Sequence, residues 1–139
     1  MPEPMSLDIA YPTTSLHAVA AYMATKPRLV ALRDIARPLA TRHGDRPASN
    51  DILEEAAHLL RTTRGLVSRQ KGARRGLRLG RSADWATLLS TLELALIALD
   101  VFRATFSSYD RAYGAIVWRD EIWRDLARHG SESASADKH

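Results

Sequence analysis

Between Glu55 and Asp84 the chain carries eight basic residues and no acid: Arg61, Arg64, Arg69, Lys71, Arg74, Arg75, Arg78 and Arg81. A guanidinium is a planar fork of donors that grips a phosphate through two parallel hydrogen bonds, and lysine adds a compact point charge. Gly72, Gly76 and Gly80 are interleaved with these cations, and a residue without a Cβ lets backbone approach a ligand closely. This pattern suits a polyanion: the segment would settle along a nucleic-acid phosphate backbone and release its counterions. Contacts of that kind fix position and carry little sequence information, so DNA and RNA are not distinguished. No aromatic residue lies between Tyr22 and Trp85, so base stacking by aromatic side chains of this segment is not supported. The same charge could meet an acidic protein surface, or be a solvated crossover answered by Glu93, Asp100 or acids nearer the C-terminus. The length of the acid-free run favours the phosphate reading.

Other chemistry-bearing residues are scattered. Glu93 and Asp100 lie one heptad apart, but no Glu-x-x-His accompanies them as a di-iron bundle requires; ion pairs with Arg103 or Arg111 are the expectation. His17 and His58 fall on alanine-rich faces and suit donation to a backbone carbonyl. Trp85, Trp118 and Trp123 suit core or interface anchoring. GARRGLRLG lacks the Gly-Lys-Ser/Thr ending of a phosphate loop. The absence of cysteine rules out disulfides, thiolate metal sites and a cysteine nucleophile. No metal or cofactor is expected. RDLARH at 124–129 sets Arg124 five positions before His129 and resembles the R-x4-6-H motif of HEPN-domain ribonucleases. That family is all-helical and pairs its motif across a dimer, so the resemblance implies a ribonuclease site at Arg124 and His129. It covers six residues, and Arg37 with His43 has similar spacing; His129 is read instead as complementing a helix C-terminal dipole.

The elements that must position these groups show the helical period almost throughout. Residues 1–13, with Pro2, Pro4 and Pro12, read as an extended lead-in. Ser15 caps a first helix to about Thr25. Pro27 then opens a second, carrying Leu29, Leu32, Ile35, Ala36 and Leu39, with a kink or stop near Arg37 imposed by Pro38. After the loop RHGDRPASN, Asn50 caps a third helix. Its stripe of Ile52, Ala56, Leu59, Leu60, Thr63, Leu66 and Val67 is followed by an end near Gln70. Residues 71–81 read as a mobile basic crossover. Ser82 caps a fourth helix with two apolar faces, one of Trp85, Leu88, Leu89, Leu92, Leu96, Leu99, Phe102 and Phe106, the other of Leu94, Ile97 and Val101. A helix apolar on two sides is central in a bundle or shared with a second copy. Ser107–Asp110 resembles a capping box opening a fifth helix to about His129, and a polar, disordered tail follows from Gly130. No segment alternates as a strand does.

At 139 residues, 45% hydrophobic, the chain can bury a real core. Its 17 arginines against three lysines suggest a GC-rich genome, so placement says more than number. A helix-turn-helix over 27–61 is excluded by its long connection and by Asp51, Glu54 and Glu55 at the would-be recognition helix. Residues 85–102 are apolar enough to need a membrane check. Two acids at about 2.5–3.5 kcal/mol each cancel nine apolar residues at roughly −0.3 to −0.6, so a buried helix is the better reading. The expectation is therefore all-α: a compact bundle of four to five helices spanning 14–129 as a single domain. The leading function is a non-enzymatic, cytoplasmic nucleic-acid-binding protein, acting alone, as a homodimer through the fourth helix, or within a larger complex. The alternative is a protein–protein interaction module of adaptor, antitoxin or immunity type that docks its partner on the fourth helix's second face. A HEPN-like ribonuclease is third.

Overall fold

The computed structural model describes residues 12–70, 72 and 75–123. These are predominantly helical, with one small sheet: α1 (Leu16–His43), α2 (Asn50–Leu66), α3 (Trp85–Thr105), then β1 (Ser107–Asp110) and β2 (Ala115–Trp118). Contacts divide the chain into two units, residues 20–102 and a second made of residues 1–19 with 103–139.

The first unit holds the helical core. The break expected at Pro27 does not occur; α1 is one helix of 28 residues that contains both Pro27 and Pro38. Its buried residues explain why. Tyr22, Thr25, Leu29, Leu32 and Ala36 recur at alternating spacings of three and four, one unbroken apolar stripe across the proline. Both prolines are exposed, so the carbonyls they leave unbonded lie on the side water can reach, and packing of the opposite face outweighs the local cost. Ser15 caps α1 as expected, its Oγ accepting the Ala18 N–H at 3.0 Å.

Helix α2 begins at Asn50 behind an extended Ser49, one residue before the expected cap. Ala56, Leu59, Leu60, Thr63 and Val67 of the expected stripe are buried. The helix ends at Leu66, where the Val67 N–H returns to the Thr63 carbonyl, four residues short of Gln70. Asp84 rather than Ser82 caps α3, accepting the Thr87 N–H at 2.7 Å. The buried side of α3 comprises Leu88, Thr91, Leu92, Ala95, Leu96, Ala98, Leu99 and Phe102. Two buried threonines, Thr63 and Thr91, each bond the carbonyl four residues back, at 2.8 Å, which satisfies them inside apolar surroundings.

Pairs between α1 and α3 set their direction. Tyr22 stacks on Phe102 with ring centroids 5.9 Å apart, Lys26 meets Asp100 at 3.2 Å and Arg37 meets Glu93 at 3.9 Å. Positions rise along α1 as they fall along α3, so the two run antiparallel. Glu93 and Asp100 thus pair with cations of α1, both at the surface, and not with Arg103 or Arg111 in buried pairs. The loop after α1 is laced to the start of α3: Ala48 N–H to Ala83 O, Trp85 N–H to Arg46 O and Ala86 N–H to Gly44 O, each 3.0 Å. Gly44 is required there, because a Cβ would lie 2.7 Å from the Ala40 carbonyl oxygen.

In the second unit the expected fifth helix is replaced by a β-hairpin, and the expectation of no strands is corrected with it. Ser107 faces Trp118, Ser108 Val117, Tyr109 Ile116 and Asp110 Ala115. The stripe Tyr109, Ala112, Tyr113, Ile116, Val117 fits a helix by spacing, but the β-branched, aromatic run Ile116–Trp118 prefers a pleat. Asp110 closes the turn by accepting the N–H groups of Ala112 and Tyr113 at 2.8 and 3.4 Å, and Gly114 adopts φ 63°. Arg119, buried, donates to the carbonyls of Thr105 and Ser107, while its own carbonyl accepts the Thr14 N–H at 3.0 Å. Asp120 caps the helical turn that begins at Glu121, bonding the Trp123 N–H at 2.9 Å. The lead-in at 1–11, the expected helix beyond Trp123 and the tail from Gly130 lie outside the described residues.

Candidate nucleic-acid interface

Among the eight cations, Arg61 and Arg64 lie near the end of α2 and Arg69 in the turn behind it. Arg75, Arg78 and Arg81 follow on the return to α3, and Lys71 and Arg74 lie outside the described residues. Arg61, Arg69, Arg75, Arg78 and Arg81 are all exposed. None of these five is ion-paired among the described residues; the pairs that exist are Lys26–Asp100, Arg28–Glu55, Arg33–Asp34 and Arg37–Glu93. Three acids that could have answered the segment, Glu55, Glu93 and Asp100, are therefore held by cations of α1.

Arg64 differs from its neighbours. It is half-buried, and its Nη1 donates to the Leu77 carbonyl at 2.6 Å, so it ties the end of α2 to the returning strand of chain. Leu77 itself is 0% exposed. The segment read as a mobile crossover thus has an apolar anchor in the core, with exposed Arg75 and Arg78 on either side of it. Gly72 and Gly76 take φ values of 77° and 80°, in the left-handed region where a side chain is strained. Gly76 packs close to α3: a Cβ there would lie 3.2 Å from Leu94 Cδ1. Turns from Arg75 N–H to Gly72 O (3.2 Å) and Ala83 N–H to Gly80 O (3.4 Å) bound the segment.

Sequence reasoning missed Leu77 and the bracing role of Arg64. The signal was present in GLRLG, two leucines among arginines, but two apolar residues have no readable period. His17, His43 and His58 are exposed, and His58 does not lie on a buried face. Trp85, Trp118 and Trp123 are half-buried. Arg124 and His129 of the ribonuclease-like motif lie outside the described residues. No group of three or more His, Asp or Glu side chains that could hold a metal ion occurs among the described residues.

Lys26 and Asp84, among the described residues, have shifted titrations. A hydrogen bond to the Tyr22 hydroxyl, then Asp100, hold the Lys26 ammonium above its usual range against some desolvation. The side-chain and backbone bonds of Thr87 hold the Asp84 carboxyl below its usual range. The segment presents a row of exposed guanidinium donors at the surface. A scan against protein-family models finds none that matches, and searches of curated proteins and of solved structures return no match either.

Proposed function

We propose that this protein binds nucleic acid through its phosphate backbone, without catalysis, using the exposed arginines of residues 61–81. The observation that carries the reading is that Arg61, Arg69, Arg75, Arg78 and Arg81 stand exposed and unpaired among the described residues while Glu55, Glu93 and Asp100 pair with cations of α1. Guanidinium groups set close together repel, and a polyanion is the ligand that answers several at once. Arg64 supports the site by bracing Leu77; Lys71 and Arg74 add charge to the same stretch. Binding of this kind fits a cytoplasmic protein meeting DNA or RNA with little sequence preference.

The test is fluorescence anisotropy with labelled single-stranded and duplex oligonucleotides across a salt series. Wild-type affinity falls steeply with salt, and replacing Arg75, Arg78 and Arg81 by Gln lowers the log–log slope by about 3. Absent or salt-independent binding at low ionic strength refutes the proposal.

A second reading, a protein-interaction module, is favoured by one specific observation. Leu94, Ile97 and Val101 of α3 are 47%, 60% and 46% exposed, so the helix's second apolar face is at the surface instead of being covered within the unit. A homodimer through this face and an acidic partner are the two forms that reading takes.

A further inference from the structure

We infer that the exposed face of α3 is a docking site for an acidic amphipathic helix, and that this partner competes with nucleic acid for Arg75 and Arg78. The inference rests on the proposed phosphate site for its second half and on the geometry of α3 for its first. Leu94, Ile97 and Val101 follow at i, i+3 and i+7, the spacing at which one helix presents anchors to another. Leu94 is also the side chain against which Gly76 packs. The apolar stripe and the basic segment therefore meet, with exposed Arg75 and Arg78 within two residues of the junction.

Charge around the stripe is uneven. Glu93 and Asp100 are answered by cations of α1, Arg37 and Lys26 respectively, so these acids are neutralised. Where Gly76 meets the stripe at Leu94, the flanking Arg75 and Arg78 are exposed and unpaired among the described residues. A complementary occupant brings apolar anchors bordered by carboxylates. A second copy of the chain is the poorer fit: residues 20–102 contain 14 Lys and Arg against eight Asp and Glu, so pairing through α3 sets two positive units against each other. Three partly exposed side chains are also a small apolar area beside the ~800 Å² per partner of a stable interface, so Arg75 and Arg78 must contribute to binding. Acids that engage Arg75 and Arg78 are seated where phosphates would be, and the two ligands exclude one another.

The probe is a designed helical peptide with leucine along one stripe and glutamate over the rest, titrated against the full chain with and without a labelled oligonucleotide. The expected result is saturable peptide binding that displaces the oligonucleotide. Ile97→Asp or Val101→Asn then weakens the peptide by about tenfold or more, as loss of a central anchor does, while oligonucleotide affinity stays within about twofold, below the roughly 0.6 kcal/mol of RT. Replacing Arg75 and Arg78 by Gln weakens both. Peptide affinity unmoved by Ile97→Asp, or peptide and oligonucleotide bound together, overturns the inference and leaves the phosphate site standing. Sedimentation showing a wild-type dimer that Ile97→Asp dissociates makes a second copy the occupant and overturns it too. Loss of oligonucleotide binding alone, with peptide binding intact, removes the phosphate site and the competition with it.

Discussion

Leu77 and Arg64 decide whether the basic segment is a loose loop or a braced one. A fully buried leucine cut back to alanine leaves a cavity, and such changes cost about 2–5 kcal/mol. Leu77→Ala is thus expected to lower the midpoint of urea denaturation substantially, which equilibrium unfolding followed by circular dichroism measures directly. Arg64→Ala removes the donor to the Leu77 carbonyl, a charge-assisted bond worth about 1.5–3 kcal/mol. Its signature is a loss of stability that Arg64→Lys partly restores. If Arg64 acted mainly on phosphate, stability would hold and only oligonucleotide affinity would fall. Asp84 offers a second test at this scale, with a sign fixed by linkage. Its folded pKa lies below the ordinary 3.8, so its contribution is present above that value and lost as pH falls through the lower folded one. Asp84→Asn keeps a capping side chain without the charge, so the wild-type advantage in melting temperature over this variant should narrow on acidification below pH 3.8. Lys26 works in the opposite direction: its pKa is raised above 10.5, and its contribution fades only as pH climbs through that raised value.

At the scale of elements, α1 and the hairpin show what periodicity reveals and where it stops. The buried stripe of α1 was legible only in part: Leu29, Leu32 and Ala36 stand in the expected pattern, Tyr22 and Thr25 were not in it, and Ile35, which was, is exposed. Its continuity was not, because a proline rule describes local cost and cannot weigh it against packing on the far side of the helix. That balance implies a measurable reserve: Pro27→Ala restores an N–H and removes a steric clash at an exposed position, and is expected to raise the thermal midpoint, by up to about 3 kcal/mol of stability. A midpoint unchanged or lowered would mean that the proline's restriction of the unfolded chain outweighs its helical penalty. The hairpin was misread for a different reason. Short apolar runs satisfy both periods, and SSYD offers the same acceptor groups to a helix cap as to a turn. Only the pairing of Tyr109 with Ile116, a contact across the turn, separates the two readings. Gly114 is the position where the hairpin requires glycine, at φ 63° with open space around a would-be Cβ. Gly114→Ala is therefore expected to cost about 1 kcal/mol through backbone strain alone, with no steric clash to add to it.

For the molecule as a whole, charge placement matters more than the net value of +4. Residues 20–102 alone carry 14 basic against eight acidic side chains, and several of those acids are consumed in surface pairs that contribute little individually. The candidate site was legible as a charge pattern for that reason, while its bracing at Leu77 required three dimensions. An excess of unpaired guanidinium groups on a small folded unit destabilises it by self-repulsion, more so at low ionic strength, where the screening length grows from about 10 Å at 0.1 M to 30 Å at 0.01 M. The folded protein should accordingly gain stability as salt is added, in contrast to one whose surface is dominated by favourable pairs. Polyphosphate should do the same at far lower concentration, because a ligand that binds only the folded state stabilises it by mass action. Replacing Arg75, Arg78 and Arg81 by Gln should raise the melting temperature in low salt, flatten its dependence on salt and abolish most of the polyphosphate effect. A scanning-calorimetry series in NaCl and in polyphosphate, on wild type and this triple variant, reads all three. If wild type melts lower as salt rises, attractive pairs dominate the surface and the premise of a charge-frustrated segment awaiting an anion is wrong.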